Sequence, residues 1–303
     1  MSLLSFLRSQ LFVTLPVPTH DLTDQVIVVT GANTGLGFEA ARYFLNLNAA
    51  KVVLAVRSTS KGEAAKDDLE SSSSRPPGVL EVYTLDMESS ASVEAFVTKV
   101  NSLPRVDVLL LNAGKVTQDF YLVGGNESTI TVNVVHTFLL ALLMLPKLRY
   151  VSKEIGIVPR IVIVASDRHA MTNLPEWTTE NTFATLNDKN NARMHERYYV
   201  SKLLEILLMR ALAKELAAQE IRVSVSALTP GFCQSNLLRD IRGLWAVQLA
   251  VMNHFLSRST EEGARTLVHA ASLGWEANGQ YLNDCEIDKC VSIFSSSETL
   301  DSV

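Results

Sequence analysis

Short runs of β-branched and aliphatic residues alternate along the chain with longer stretches in which apolar positions recur at helical spacing. Runs at 26–30, 51–56, 79–84, 106–112, 160–165 and 222–228 are apolar on both faces and predict buried strands. Segments 36–47, 61–70, 90–100, 129–145, 198–219 and 260–272 predict helices. Strands buried on both faces need helices on both sides, and parallel neighbours need crossover connections. The pattern therefore predicts a single α/β domain, a doubly wound parallel sheet with helices on both faces.

Composition agrees with one large core. The chain has 303 residues, 47% of them hydrophobic and 19% charged. Its net charge of −5, with no dense Lys/Arg block, excludes a nucleic-acid footprint. Cys233, Cys285 and Cys290 have neither metal-ligand spacing nor the density of a disulfide framework, so no metal and a reducing, cytoplasmic setting are expected. The one low-complexity stretch, Ser71 to Ser74 before Arg75-Pro76-Pro77, reads as a surface loop.

The domain is placed at 22–303 and an N-terminal arm at 1–21. The arm carries Leu3, Leu4, Phe6, Leu7, Leu11 and Phe12, broken by Arg8, Ser9 and Gln10 and closed by Pro16 and Pro18. It is too short to cross a bilayer, so no integral membrane association is expected. Packing on the domain surface is the favoured reading, with a peripheral membrane contact as the alternative.

The first strand runs into Thr30-Gly31-Ala32-Asn33-Thr34-Gly35-Leu36-Gly37, inside which the first helix begins. Three glycines there permit a tight turn, close approach of backbone N–H groups to a pyrophosphate and close helix packing; the helix N-terminus adds positive potential. Arg57 ends the second strand, where an acidic residue would take the ribose 2′-hydroxyl of NAD. A guanidinium there favours the 2′-phosphate of NADP(H). Lys61 either adds a second cation or is a solvated surface residue.

With Asp86 after the third strand, Asn112-Ala113-Gly114 after the fourth, Asn133 on the next helix, Ser166 after the fifth, Tyr198-x-x-x-Lys202 and Pro230-Gly231 after the sixth, residues 22–275 resemble the short-chain dehydrogenase/reductase superfamily. The chain is most similar to the retinol-dehydrogenase-like branch and to secondary-metabolism members from filamentous fungi. The resemblance implies a Rossmann-type fold and an NADP(H)-dependent oxidoreductase, a ketoreductase that interconverts a carbonyl and an alcohol. It implies a place for Asp86 and Met87 near the adenine, for Asn112, Ala113 and Gly114 along the adenosine side, and for Pro230, Gly231 and Ser235 near the nicotinamide. It also implies a homodimer or homotetramer.

The chemistry of the remaining residues follows from their types. Tyr198 is a phenol, a weak acid near neutral pH, and needs a cation beside it to exchange a proton. Lys202 lies one turn further on the same helical face and can supply that cation while holding the nicotinamide ribose. Ser166 would orient the substrate oxygen, and by family precedent Asn133 would hold a water leading to Lys202. Tyr199 lacks the four-residue spacing to Lys202 and is set aside.

On the substrate side, Asp167 and Arg168 either pair with each other, the favoured reading, or shape substrate choice. His169 stays outside the catalytic set. The long segment 168–197 is expected over the cleft. Residues 232–258, with Phe232, Leu244 and Trp245, read equally as a substrate lid or as an ordinary amphipathic helix. A lid would suit a small lipophilic substrate, terpenoid, polyketide or steroid-like. Two rivals stand beside the reductase: a non-redox dehydratase, isomerase or cyclase on the same scaffold, and a non-catalytic cofactor sensor.

Overall fold

A computed structural model of the chain describes residues 3–234 and 256–288, together with 237, 242 and 253. After an N-terminal helix α1 (Leu3–Phe12), β1 (Val26–Thr30), α2 (Gly35–Asn46), β2 (Lys51–Val56), α3 (Thr59–Ser71), β3 (Leu80–Thr84), α4 (Ser90–Asn101) and β4 (Val108–Leu111) alternate. A hairpin of β5 (Leu122–Val123) and β6 (Asn126–Glu127) leads into the long helix α5 (Ser128–Ile155). Then follow β7 (Arg160–Val164), a short α6 (Thr182–Leu186), α7 (Met194–Ala218), β8 (Ser224–Thr229), α8 (Thr260–Ser272), β9 (Tyr281–Asn283) and β10 (Glu286–Asp288).

Eight strands form one sheet in the order β10-β9-β8-β7-β4-β1-β2-β3, parallel except for the β9–β10 pair. Alternate strand residues feed two separate cores, as the period of two demands. Val26, Val28, Val53, Leu109, Ile161 and Val225 meet Phe96 of α4, Leu140 and Met144 of α5 and Ile206 of α7. Their neighbours Ile27, Val29, Val52, Leu54, Leu110 and Val162 meet Phe44 of α2, Leu69 of α3 and Leu267 of α8. All six expected strands and all six helices are present. β9 and β10 add a mixed edge.

Two differences from the sequence reading have local causes. α5 does not stop before Pro146 but continues to Ile155, where Gly156 adopts the left-handed conformation (φ 76°) that closes a helix. The carbonyl that Pro146 deprives of a donor belongs to Leu142, on the exposed side of the helix, where water can serve it. α5 is also long and apolar enough to cross a membrane, but 67% of its most apolar window is buried in the domain. It is a core helix. The second difference is the β9–β10 turn, in which Asp284 (φ 50°) and Cys285 (φ 63°) take the two left-handed positions of a hairpin usually given to Asn and Gly.

Segment 167–193 folds as short helical turns with a small core of its own. Leu174 and Leu186 pack on Ile130 and Val134 of α5 and on Val200, Leu203 and Leu204 of α7.

Candidate active site

The C-terminal ends of the parallel strands open on a cavity of about 1430 Å³. That exceeds the roughly 300–1,000 Å³ of an ordinary small-molecule site and leaves room for a dinucleotide and a second molecule. Gly31, Asn33, Thr34, Gly35, Leu36, Arg57, Lys61, Asp86, Met87, Asn112, Ala113, Gly114, Ser166, Tyr198, Lys202, Pro230 and Gly231 all line it. Gly37 and Asn133 stand behind its wall, and Ser235 lies outside the described residues, as do Leu244 and Trp245.

The glycine-rich turn is held open by backbone geometry. Gly31 (φ 68°) and Gly35 (φ 64°) occupy the left-handed region, and a Cβ on Gly35 would meet nothing within 4 Å. That empty face lies at the start of α2, where free N–H groups and the helix dipole suit a pyrophosphate. Gly37 serves packing: a Cβ there would stand 2.5 Å from Asn112 Nδ2 and 2.8 Å from the Gly31 carbonyl. Asn112 explains the crowding, since its Nδ2 donates to the Thr30 carbonyl at 2.8 Å. Thr30 Oγ1 in turn accepts from the Asn112 and Ala113 N–H groups, each at 2.9 Å. Asn112-Ala113-Gly114 thus braces the turn from the neighbouring strand. Arg57 and Lys61 are both exposed at the rim beyond β2. Asp86 shapes its own turn, Oδ1 accepting from the Glu88 N–H at 2.9 Å.

The opposite wall is organised by charge. Ser166 ends β7; its Oγ donates to Asp167 Oδ1 at 3.1 Å and accepts from the Arg168 N–H at 3.2 Å. Asp167 and Arg168 do not pair with each other, contrary to the favoured reading. Arg168 donates to the Met171 sulfur at 3.0 Å and lies over the Phe6 ring of α1 at 5.8 Å. His169 is buried beneath the serine, its Nδ1 2.7 Å from the Ser166 carbonyl, and burial lowers its pKa.

Tyr198 sits in the second turn of α7, which begins at Met194, four residues earlier than expected. Burial raises its pKa; Lys202 opposes that, Glu205 reinforces it, and a hydrogen bond with Ser166 lowers it. The Lys202 ammonium is 5.6 Å from the Tyr198 ring centroid. It donates to the Val164 carbonyl at 2.8 Å and to Glu205 Oε1 and Oε2 at 2.9 and 3.1 Å. Burial pushes the pKa of this lysine down, but Glu205 and Tyr198 hold it above the ordinary value. The Glu205 carboxyl is itself raised by burial to about 7 despite its partner.

Asn133 lies in a π-helical turn (Thr131–Val135) near the start of α5 and is fully buried. Its amide accepts from the Lys115 N–H at 2.8 Å and donates to the Lys115 carbonyl at 3.0 Å and to Ser201 Oγ at 2.9 Å. It pins the strand exit at 114–115 to the helix that carries Tyr198.

Three contributors escape the sequence reading. Glu205 is one; its signal is a single acid inside the apolar run Leu203-Leu204-Glu205-Ile206-Leu207. Lys115 lines the cavity while engaged by Glu88 and by the Tyr121 hydroxyl. The third is α1, which clamps the loop after β8. Arg258 donates to the Ser9 carbonyl at 2.7 Å and lies 2.8 Å from Asp284. The Gln10 amide, oriented to donate to the Phe232 and Leu256 carbonyls, packs where a Cβ on Gly231 would fall.

The sequence profile of the short chain dehydrogenase family matches residues 25–177. A short-chain dehydrogenase of Penicillium roqueforti, anuD, is 50% identical over 95% of this chain and 76% of its own length. Another from Emericella nidulans, atnD, is 44% identical over 93% of this chain and 91% of its own. Among solved structures, a 3-ketoacyl-(acyl-carrier-protein) reductase from Brucella melitensis, complexed with NADH, superposes with a TM-score of 0.63. It is 20% identical and covers 86% of this chain and 97% of its own. Gly-rich turn, sheet order and relatives agree: this chain belongs to the short-chain dehydrogenase/reductase family of nicotinamide-dependent oxidoreductases.

Proposed function

We propose that this protein is an NADP(H)-dependent reductase that converts a ketone or aldehyde on a small lipophilic molecule to the alcohol, acting in the cytoplasm in fungal secondary metabolism. The observation that carries the reading is the meeting of Ser166, Tyr198 and Lys202 on one cavity wall facing the open glycine turn. When bound, NADP(H) supplies the hydride. The chain's own residues do the rest. Gly31, whose N–H is taken by the Ala55 carbonyl, opens the turn, Asn33, Gly35 and Leu36 offer backbone donors for the pyrophosphate, and Arg57 with Lys61 offers cations for the 2′-phosphate. Ser166 Oγ donates to the substrate oxygen and orients it. The Tyr198 hydroxyl gives its proton to that oxygen as negative charge develops, and the Lys202 ammonium stabilises the phenolate left behind. Asn133, whose Nδ2 donates to the Lys115 carbonyl and Ser201 and whose Oδ1 accepts from the Lys115 N–H, keeps one Oδ1 lone pair to hold a water leading to Lys202.

Val116, Met171, Met194, Tyr199, Phe232 and Leu237 supply apolar or amphipathic walls on the substrate side, which favours a lipophilic partner. That the relatives anuD and atnD are short-chain dehydrogenases of fungi supports the fungal setting. The test is consumption of NADPH against NADH, followed at the nicotinamide absorbance, over a panel of lipophilic ketones and aldehydes. Wild type is expected to prefer NADPH, and Tyr198→Phe to lose at least about 10³-fold in kcat/KM while still binding the cofactor.

A further inference from the structure

Glu205 is a carboxylic acid set among leucines and isoleucine on α7 and only 2% exposed. An acid so placed has to be accounted for by its partner. That partner is Lys202, whose ammonium donates to both Glu205 oxygens and to the Val164 carbonyl. The donors of this ammonium are directed at acceptors other than the Tyr198 phenol.

Two acids, Glu205 and Tyr198, therefore face one cation. Other charge nearby is sparse among the described residues. β7 contributes the Val164 carbonyl, β8 only the uncharged Ser224, Ser226 and Thr229, and α5 the uncharged Asn133, beyond which Lys115 is engaged by Glu88. The turn after β7 brings Asp167, which also raises the proton affinity of Tyr198, Arg168, and His169, which is tied to the Ser166 carbonyl.

We propose that Glu205, once ionised, is a positioning residue that competes with Tyr198 for the Lys202 ammonium and so holds Tyr198 in its proton-donating phenol form as the pH rises above neutral. This rests on the roles given above to Tyr198 and Lys202 and adds a direction to them. With the carboxylate in place, the Lys202–Glu205 pair is neutral, and ionising the phenol leaves a buried cluster with net negative charge. With the carboxylate removed, the cluster is positive and the phenol ionises more readily. A site whose acid stays protonated is set to give a proton to a carbonyl oxygen, which is the reductive direction.

The test is made on the full chain labelled with ¹³Cζ-tyrosine, following the ring-carbon shift through the alkaline range. The resonance missing from Tyr198→Phe is Tyr198. Glu205→Gln keeps an acceptor for Lys202 but removes the charge, and is expected to lower the Tyr198 midpoint by about one pH unit. Glu205→Met, apolar and of similar length, carries the same expectation should the glutamine variant not fold. Glu205→Asp is expected to stay near wild type. A Tyr198 resonance that titrates no earlier in either neutral variant than in wild type overturns the proposal. Failure of the catalytic reading would be seen separately, as NADPH consumption that survives Tyr198→Phe.

Discussion

The glycine-rich turn and the wall around Tyr198 face each other across one cavity, and they reach their shapes by different means. At the turn, Gly31 and Gly35 take left-handed backbone angles and Gly37 lets Asn112 come within contact, so the form follows from which residues lack a Cβ. At the other wall every functional side chain carries a cβ and a polar head, and its state depends on neighbours: Ser166 on Asp167, Tyr198 on Lys202, and Lys202 on Glu205. A backbone-built surface is fixed by its angles and, at Gly37, leaves no space for an added atom. A charge-built surface can be substituted in shape but responds to pH. That difference can be broken or sharpened by experiment.

The largest effect is expected at Gly37. A valine there drives its Cβ into the Asn112 amide and the Gly31 carbonyl, one of them backbone that cannot step aside. The expected cost is at least about 3 kcal/mol of stability together with loss of NADPH binding, read by thermal unfolding and fluorescence titration. A Gly37→Val protein that melts and binds as wild type does would remove the backbone half of the comparison.

A somewhat smaller effect is expected from pH on the charge-built wall. The Glu205 carboxyl, ordinarily near 4.5, is raised to about 7, so the folded chain holds that proton more tightly than the unfolded one. Its contribution to stability is full below the unfolded value of 4.5 and is lost as the pH rises through about 7. Relative to Glu205→Gln, wild type is expected to lose on the order of 3 kcal/mol across that window, measured by chemical denaturation at several pH values. A difference that does not change with pH would show that the pair is not titrating.

The smallest effect is expected at the rim. Arg57→Gln removes an exposed cation, and the Kd for NADPH is expected to rise about tenfold with that for NADH unchanged, a gap that narrows at high salt. Equal weakening toward both cofactors would contradict the reading of Arg57.

The same contrast explains what the sequence made legible. Strands buried on both faces and a Gly-rich strand-to-helix junction are written in residue type, so sheet, helices and the tight glycine turn could be read directly. α5 runs past the expected end at 145 because the carbonyl that Pro146 leaves without a donor belongs to the exposed Leu142, where water can serve it. The β9–β10 hairpin was missed because Asp284 and Cys285 occupy positions that Asn and Gly usually announce. Glu205 and the docking of Ser9 and Gln10 of α1 beside Gly231 depend on contacts between distant parts or on burial, which spacing does not reveal. The failure of Asp167 and Arg168 to pair has the same origin: adjacent residues point apart, one to Ser166 and the other to Met171 and Phe6.

The central claim is proton donation by Tyr198 coupled to hydride transfer, and the panel assay run with NADPH deuterated at the transferable position tests it most directly. The expected result is an alcohol carrying one deuterium on its carbinol carbon with wild type, and no such product with Tyr198→Phe. Turnover that leaves the label on the cofactor would contradict the account and identify a non-redox enzyme on this scaffold.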